Sequence, residues 1–329
     1  VSTATVSRVL TGVLETRPET RDRVLLAVRE LGYRPSGIAR SLKLGTTGTL
    51  GLLVTDILNP FYPELVRAIE DAARDRGLGV LLGNGDEDPE REAAYLELLA
   101  ERRVDGIIVA SSGLSDRHGR WLAAAPVPVV LANCELADGS RPAVLTDSRA
   151  ATRLATEHLF GLGHREIGHI TGRSVDAATD ARIGGVRDAM AAAGLPPDAL
   201  RAVAGDGHVA GGERAMNALL DGPRPPTAVV CYNDLSAIGA IRAVHAHGRR
   251  VPQDISIVGF DDIDLAAYVD PPLTTLAQST TEIGRVAVEW IAALLADDGR
   301  PGPPDPGQGH SLRLPAELRV RGSTGPPPT

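Results

Sequence analysis

From Thr49 onward the chain alternates short apolar runs with longer stretches of helical periodicity, and this rhythm constrains the fold more than any single motif. Thr49–Val54, Leu78–Leu82, Gly106–Ala110 and Val127–Ala132 are the first apolar runs. Between them lie Tyr62–Arg76, Pro89–Arg103 and Arg117–Ala124, with polar and apolar positions spaced as on a helix. Continuous apolar runs joined by helical crossovers predict parallel strands buried on both faces. The pattern resumes with Glu166–Thr171, Arg201–Ala204, Thr227–Tyr232 and Ile255–Phe260, separated by helices near Ala150–Leu162, Ala181–Gly194, Gly211–Leu220 and Leu235–Gly248. An α/β core of two successive doubly wound parallel sheets is expected. Thr281–Ala296 predicts a further helix, Asp297–Gly309 a Pro/Gly-rich surface loop, and Leu312–Val320 a last strand region. Residues 323–329 read as a disordered, Pro-rich tail.

The first 45 residues have another texture. Eight Lys or Arg side chains stand there against four Asp or Glu, whereas the whole chain carries a formal charge of −8. A small basic head on an acidic body fits a localised phosphate-binding surface. Ser2 is placed to cap a helix in which Val6, Val9 and Leu10 form an apolar stripe, with Thr3, Ala4, Ser7 and Arg8 away from it. Small polar groups and one Arg on such a face suit the DNA major groove. Gly12 ends this helix, Pro18-Glu19-Thr20 opens a second that stops at Gly32, and Ser36–Leu44 predicts a brief third helix too short to be stable alone in water. Gly45–Gly48 reads as a flexible joint.

Several classes are disfavoured. No apolar run approaches the roughly 20 residues that span a bilayer, so no membrane association is expected. Cys134 and Cys231 are far apart in apolar surroundings and read as reduced thiols of a cytoplasmic protein. Gly83-Asn-Gly-Asp86 lacks a dinucleotide fingerprint, and neither a Walker A sequence nor a Gly-x-Ser-x-Gly elbow occurs. His158, His164 and His169 lack metal-ligand spacing, and the adjacent carboxylates Asp261 and Asp262 diverge on a strand end. No enzyme activity, metal or cofactor is expected.

Motifs spread along the chain resemble those of the LacI–GalR (lactose/galactose repressor) family of bacterial transcription regulators. Ala4-Thr-Val-Ser-Arg-Val-Leu10 looks like its recognition helix. Glu30-Leu-Gly-Tyr-Arg-Pro35 with Ile38-Ala-Arg-Ser-Leu42 looks like its last headpiece helix and hinge. Gly51-Leu-Leu-Val, Asn59-Pro-Phe-Tyr62, Arg103-Val-Asp-Gly-Ile-Ile, Gly163-His-Arg165, Asn233-Asp-Leu, Val258-Gly-Phe-Asp-Asp262 and Pro271-Pro-Leu-Thr-Thr275 follow in family order. The resemblance implies a partial helix-turn-helix headpiece over 1–34, a hinge helix and linker over 35–48, and a periplasmic-binding-protein-like core over 49–322. Within that core, one subdomain is expected over about 49–161 and 278–309, the other over about 162–277 and 310–322. Val1 falls inside the turn of the helix-turn-helix, so a bracing helix within roughly 15 residues upstream is expected; such a small headpiece is marginal in core even when complete.

By family position, Thr3, Ala4 and Arg8 face base edges, while Ser2, Thr5 and Ser7 serve as phosphate contacts or caps, Thr5 and Ser7 alternatively being plain solvent-facing groups. Arg40 and Leu42 lie on the hinge; Leu42 is either plain core or a wedge that enters the minor groove with its partner from a second subunit. The effector would sit at the carboxyl ends of the strands, between the subdomains. There the resemblance implies Asp147, Arg182, Asn233 and Asp261, with Arg182 and Asp261 alternatively forming a structural salt bridge. Phe61 and Tyr62 supply an aromatic wall or pack internally. Gly207 stands where relatives carry a stacking aromatic, which His208 could replace, and Asp176 stands where purine-binding relatives use a basic group. A neutral sugar is the leading expectation. The function implied is that of an operator-binding repressor, a homodimer or a higher assembly, controlled allosterically by a small effector. The alternatives are a sugar-binding protein without a DNA role and an α/β sugar-modifying enzyme.

Overall fold

The computed structural model describes residues 1–11, 17–33, 45–110, 114, 116–173, 177–296 and 311–328. The hinge-helix expectation with Arg40 and Leu42, the Gly12 stop, Asp176 and the 297–309 loop lie outside these residues. The chain divides into two compact units, Val1–Gly48 and Thr49–Thr329.

In the first unit, α1 (Thr3–Thr11) packs on α2 (Pro18–Glu30). Ser2 begins α1 as expected: its Oγ accepts from the Thr5 amide at 3.2 Å and its carbonyl from the Val6 amide at 3.1 Å. Pro18, whose missing N–H costs nothing in a first turn, opens α2. Among the described residues of this unit Val24 is buried, while Leu26, Leu31 and Tyr33 are more than half exposed.

The second unit holds two six-stranded sheets. The first runs β11-β5-β4-β3-β1-β2 and is parallel throughout. Its strands are β1 (Thr49–Val54), β2 (Gly79–Asn84), β3 (Gly106–Ala110), β4 (Val129–Ala132), β5 (Ala143–Thr146) and β11 (Ser311–Leu314). The helices α3 (Phe61–Arg74), α4 (Pro89–Glu101), α5 (Asp116–Ala123) and α10 (Thr280–Ala296) cover it. Burial on both faces explains the unbroken apolar runs: Leu50, Leu52 and Val54 share a core with Phe61 and Ile69 of α3, and Leu53 packs oppositely with Leu96 and Leu99 of α4.

The second sheet runs β12-β10-β9-β8-β6-β7, parallel except where β12 meets β10. It comprises β6 (Ile167–Thr171), β7 (Arg201–Ala204), β8 (Ala228–Cys231), β9 (Ser256–Asp261), β10 (Thr274–Ala277) and β12 (Glu317–Arg319), flanked by α6 (Ser148–Gly161), α7 (Ala177–Ala192), α8 (Val209–Leu220) and α9 (Asp234–Ala246). Glycines let helix backbones approach here. A Cβ on Gly212 would lie 2.1 Å from the Ser236 carbonyl oxygen, and one on Gly239 would lie 1.9 Å from that of Val209.

Several sequence expectations need correction. Strands β5 and β10 lie outside the apolar runs that predict strands. The Leu312–Val320 region is two strands in different sheets, parted at Pro315, so the described residues 311–322 are shared between the lobes. Helix α6 packs on α7 and the second sheet, which moves 148–161 out of the first subdomain. Residues 323–328 are not a disordered tail: Ser323 is fully buried, its Oγ donating to Ile257 O at 2.6 Å and accepting from the Thr274 amide at 2.8 Å. His164 Nε2 lies 2.9 Å from Gly325 O, and hydrogen bonds of this kind offset the ordering entropy that Pro-rich composition alone leaves unmatched.

Three crossovers join the lobes, after β5, β10 and β11. The Asp147 amide donates to Leu314 O at 2.8 Å, Thr146 Oγ1 to Gln278 Oε1 at 2.6 Å, and Ser279 Oγ to Pro315 O at 3.4 Å, so each crossover is tied to another.

Candidate functional site

The carboxyl ends of strands from both sheets face one cleft, where open α/β folds place ligands. A solvent-open cavity of about 710 Å³ lies between the loops after β1 and β2 on one lobe and those after β6, β7 and β8 on the other. Asp56, Tyr62, Glu87, Arg173, His208 and Asn233 are among its lining groups. A second cavity of about 780 Å³ is bounded by the β4 and β5 ends, Arg313 and the first turns of α7, with Asn133, Thr146, Ser148 and Arg182 on its wall.

The sequence-predicted effector residues do not form one cluster. Tyr62 and Asn233 line the first cavity and Arg182 the second. Asn233 also caps α9, accepting from the Ser236 amide at 2.9 Å and donating to Gly207 O at 2.8 Å. Phe61 departs from the aromatic-wall expectation: it is 4% exposed, belongs to the core beneath α3, and meets the Tyr62 ring edge-on at 5.2 Å. Asp147 lines neither cavity; its carboxylate caps α6 through the Ala150 amide at 3.0 Å.

Arg182 and Asp261 hold the most specialised positions. The Arg182 guanidinium, on a side chain 5% exposed overall, stacks over Phe260 at 3.7 Å and Tyr232 at 4.3 Å and donates to Tyr232 O. Its buried Nε makes no hydrogen bond within the described residues. A buried donor without a protein acceptor is a place where a ligand acceptor gains most. Asp261 ends β9 with φ 121° and Asp262 follows at φ 60°, a strained turn for L-residues. Gln278 Nε2 donates to Asp261 Oδ1 at 2.6 Å, which links Asp261 through Gln278 to Thr146 of the other lobe.

Burial raises the Asp261 carboxyl to about 7, with Arg182 and then the Gln278 hydrogen bond opposing the rise. Burial also raises Asp234, with Asp261 adding to it. An acid raised on folding holds a proton that the unfolded chain has released. Its stabilising contribution is therefore complete below the unfolded pKa and fades as pH climbs through about 7. Wild-type stability is expected to decline between pH 5 and pH 8, by at most about 1.4 kcal/mol per pH unit from this group. In Asp261→Asn that component should vanish, leaving the variant the more stable protein at pH 8. Parallel urea-denaturation curves across this range would refute the assignment.

The outward face of α1 carries Ala4 and Arg8, both exposed, with Ser2 and Thr5 at its start; Val6 and Val9 are half-buried. Thr3 and Ser7 lie on the same helix by backbone position. A model of "Bacterial regulatory proteins, lacI family" matches residues 1–36, and one of "Periplasmic binding protein-like domain" matches residues 156–324. The HTH-type transcriptional repressor CytR of Escherichia coli is 38% identical over 328 residues, 98% of this chain and 93% of the relative. The chain belongs to the LacI family.

Solved members agree in architecture. A lac repressor dimer bound to operator and the anti-inducer ONPF superposes with a TM-score of 0.87 at 27% identity, covering 99% of this chain and 96% of that one. A LacI-family regulator from Enterococcus faecium with bound ribose gives 0.74 at 32% identity, over 84% and 99%. As a LacI-family protein the chain is a helix-turn-helix transcriptional regulator and not an enzyme. No helix among the described residues is long and apolar enough to cross a membrane.

Asp56, Glu87, Asp206 and Arg173 line the first cavity without being among the sequence candidates, although all four follow strands, the signal that pointed to Tyr62. The buried Glu92–His118 pair, 3.1 Å apart beside the first cavity, had no local signal, because its partners are remote in the chain.

Proposed function

We propose that this regulator represses transcription as an operator-bound homodimer in the cytoplasm, and that a small neutral sugar bound between the lobes of its core sets its affinity for DNA. The observation that carries the reading is the interlobe cleft of a chain with a lacI-family headpiece, lined by Arg182, whose buried Nε has no acceptor among the described residues. The mixture of amide, guanidinium, phenol and carboxylate groups suits a ligand whose hydroxyls both donate and accept. The E. faecium relative holds ribose, and the lac repressor relative is a dimer on operator. Self-association has its own support in β2, an edge strand on which Leu81 and Leu82 are 40% and 42% exposed.

On this reading Thr3, Ala4 and Arg8 contact base edges, Ser2, Thr5 and Ser7 contact phosphates, and Arg40 and Leu42 act at the hinge. The effector spans both cavities, touching Tyr62 and Asn233 in the first and Arg182 in the second. Asp261 and Asp147 act at the crossovers, and Phe61 supports Tyr62 from below. Effector and operator are linked through a shared equilibrium, so each changes the affinity of the other by the same factor.

The test uses the full-length protein. Duplexes selected from a random library are titrated by fluorescence anisotropy at several salt concentrations, and neutral sugars are screened by thermal shift. Affinity for the selected duplex should fall steeply with salt, with a log–log slope of about −0.9 per phosphate contacted. A sugar that raises the melting temperature should change that affinity. Failure to enrich any sequence rejects the operator; a stabilising sugar that leaves DNA affinity unchanged rejects the coupling.

A further inference from the structure

Two polar bridges cross the mouth of the first cavity. Asp86 and Glu87, in the turn after β2, both adopt left-handed backbone, with φ 58° and 56°. From this turn Glu87 meets Arg173, which follows β6 on the other lobe. Arg173 Nη1 donates to Glu87 Oε2 at 3.0 Å and to the Glu87 carbonyl at 3.2 Å. Beside them His208 Nε2 lies 3.8 Å from Asp56 Oδ2 and 3.9 Å from Glu87 Oε1.

The charges lining this cavity are unbalanced. Among the described residues, Asp56, Glu87, Glu92 and Asp206 supply four carboxylates, against the single guanidinium of Arg173 and the imidazole of His208. Glu92 pairs with buried His118 at 3.1 Å, and Asp206 with Arg214 at 2.6 Å. Among the described residues Arg173 is thus the cavity-lining guanidinium that could receive an anionic ligand group, and Glu87 already occupies it. A phosphate or carboxylate entering here must displace Glu87 and then sit among the remaining acids, whereas a hydroxyl can bond to any of these groups without a charge penalty.

We infer that Glu87 is a specificity-determining residue: by neutralising Arg173 across the cleft it restricts the site to uncharged ligands and turns away phosphorylated ones. The inference rests on reading the cleft as the effector site. It adds a residue and a rule of exclusion that a general preference for sugars does not contain, because a sugar and its phosphate ester share every hydroxyl but one.

Inorganic phosphate serves as the probe, compared with chloride at equal ionic strength and read by calorimetry and by melting temperature. The full-length wild-type protein should show no phosphate-specific binding. Glu87→Gln leaves Arg173 un-neutralised and should bind phosphate at least about fivefold more tightly than wild type; adding Arg173→Gln should abolish the gain. Glu87→Ser carries the same expectation, and melting curves establish that each variant is folded. Wild-type binding equal to that of Glu87→Gln overturns the inference, as does absence of any gain in both Glu87 variants. If the charge pattern holds but no sugar alters operator affinity, the sensor reading fails by itself; if sugars act and wild type binds phosphate, the exclusion rule fails by itself.

Discussion

Replacing Arg182 with methionine is expected to weaken effector binding by at least about 100-fold while operator affinity without effector stays within about threefold, since losing a charged donor to a buried acceptor costs on the order of 3 kcal/mol. Methionine keeps an unbranched apolar stem between Phe260 and Tyr232, so the aromatic packing that grips the guanidinium at 3.7 and 4.3 Å is largely filled. The charge and the buried Nε donor are lost. Arg182 also opposes the rise of the Asp261 carboxyl, so its removal pushes Asp261 further up and deepens the pH effect described above. Calorimetric titration with the sugar found by thermal shift, alongside operator anisotropy, separates the two affinities. Sugar binding of wild-type strength in this variant would remove Arg182 from the effector site.

The largest stability effect is expected at Gly239. In Gly239→Ala the new methyl group would sit 1.9 Å from Val209 O and 2.7 Å from the Glu213 amide nitrogen, both backbone atoms of α8. Neither is the tip of a flexible side chain, so whole helices must separate, and the loss should be at least about 3 kcal/mol. Gly212→Ala should behave similarly, meeting Ser236 O at 2.1 Å. Gly119→Ala is the matched control: it lies in α5 with nothing within 4 Å of the added atom, and should be neutral or stabilising by up to about 1 kcal/mol. Denaturant midpoints for the three variants check the ordering. If Gly239→Ala and Gly119→Ala unfold together, close backbone packing is not what holds α8 to α9.

The alternation of apolar runs and helical stretches made most of the core legible, because strands buried on both faces must be apolar throughout. β5 and β10 escaped for a physical reason. Each has four residues and follows a proline-containing turn, and Thr274-Thr275 at the start of β10 is polar because Thr275 donates to the buried Asp234 carboxylate at 2.5 Å. The order of the final residues is not legible in sequence because Pro-rich composition hides a buried serine hydroxyl that bonds to two strands. In the cleft, Tyr62 could be found because it follows the first strand, and Asn233 because the family resemblance implies it. Phe61 could not be told from Tyr62 by sequence, since adjacent residues at a helix start face different ways. Glu87–Arg173 and Glu92–His118 depend on neighbours 86 and 26 positions away, a relation no local pattern encodes.

The three crossovers have a mechanical consequence. Only one or two residues separate each strand from the element that follows it: Asp147, the pair Gln278-Ser279, and the pair Pro315-Ala316. Tethers this short, tied to one another, resist stretching, so relative motion of the lobes is confined to rotation about the tethers themselves. Whatever fills the cleft is then measured as an angle. A broad ligand and a narrow one set different angles, and that rotation is the quantity the core can pass to another surface of the protein.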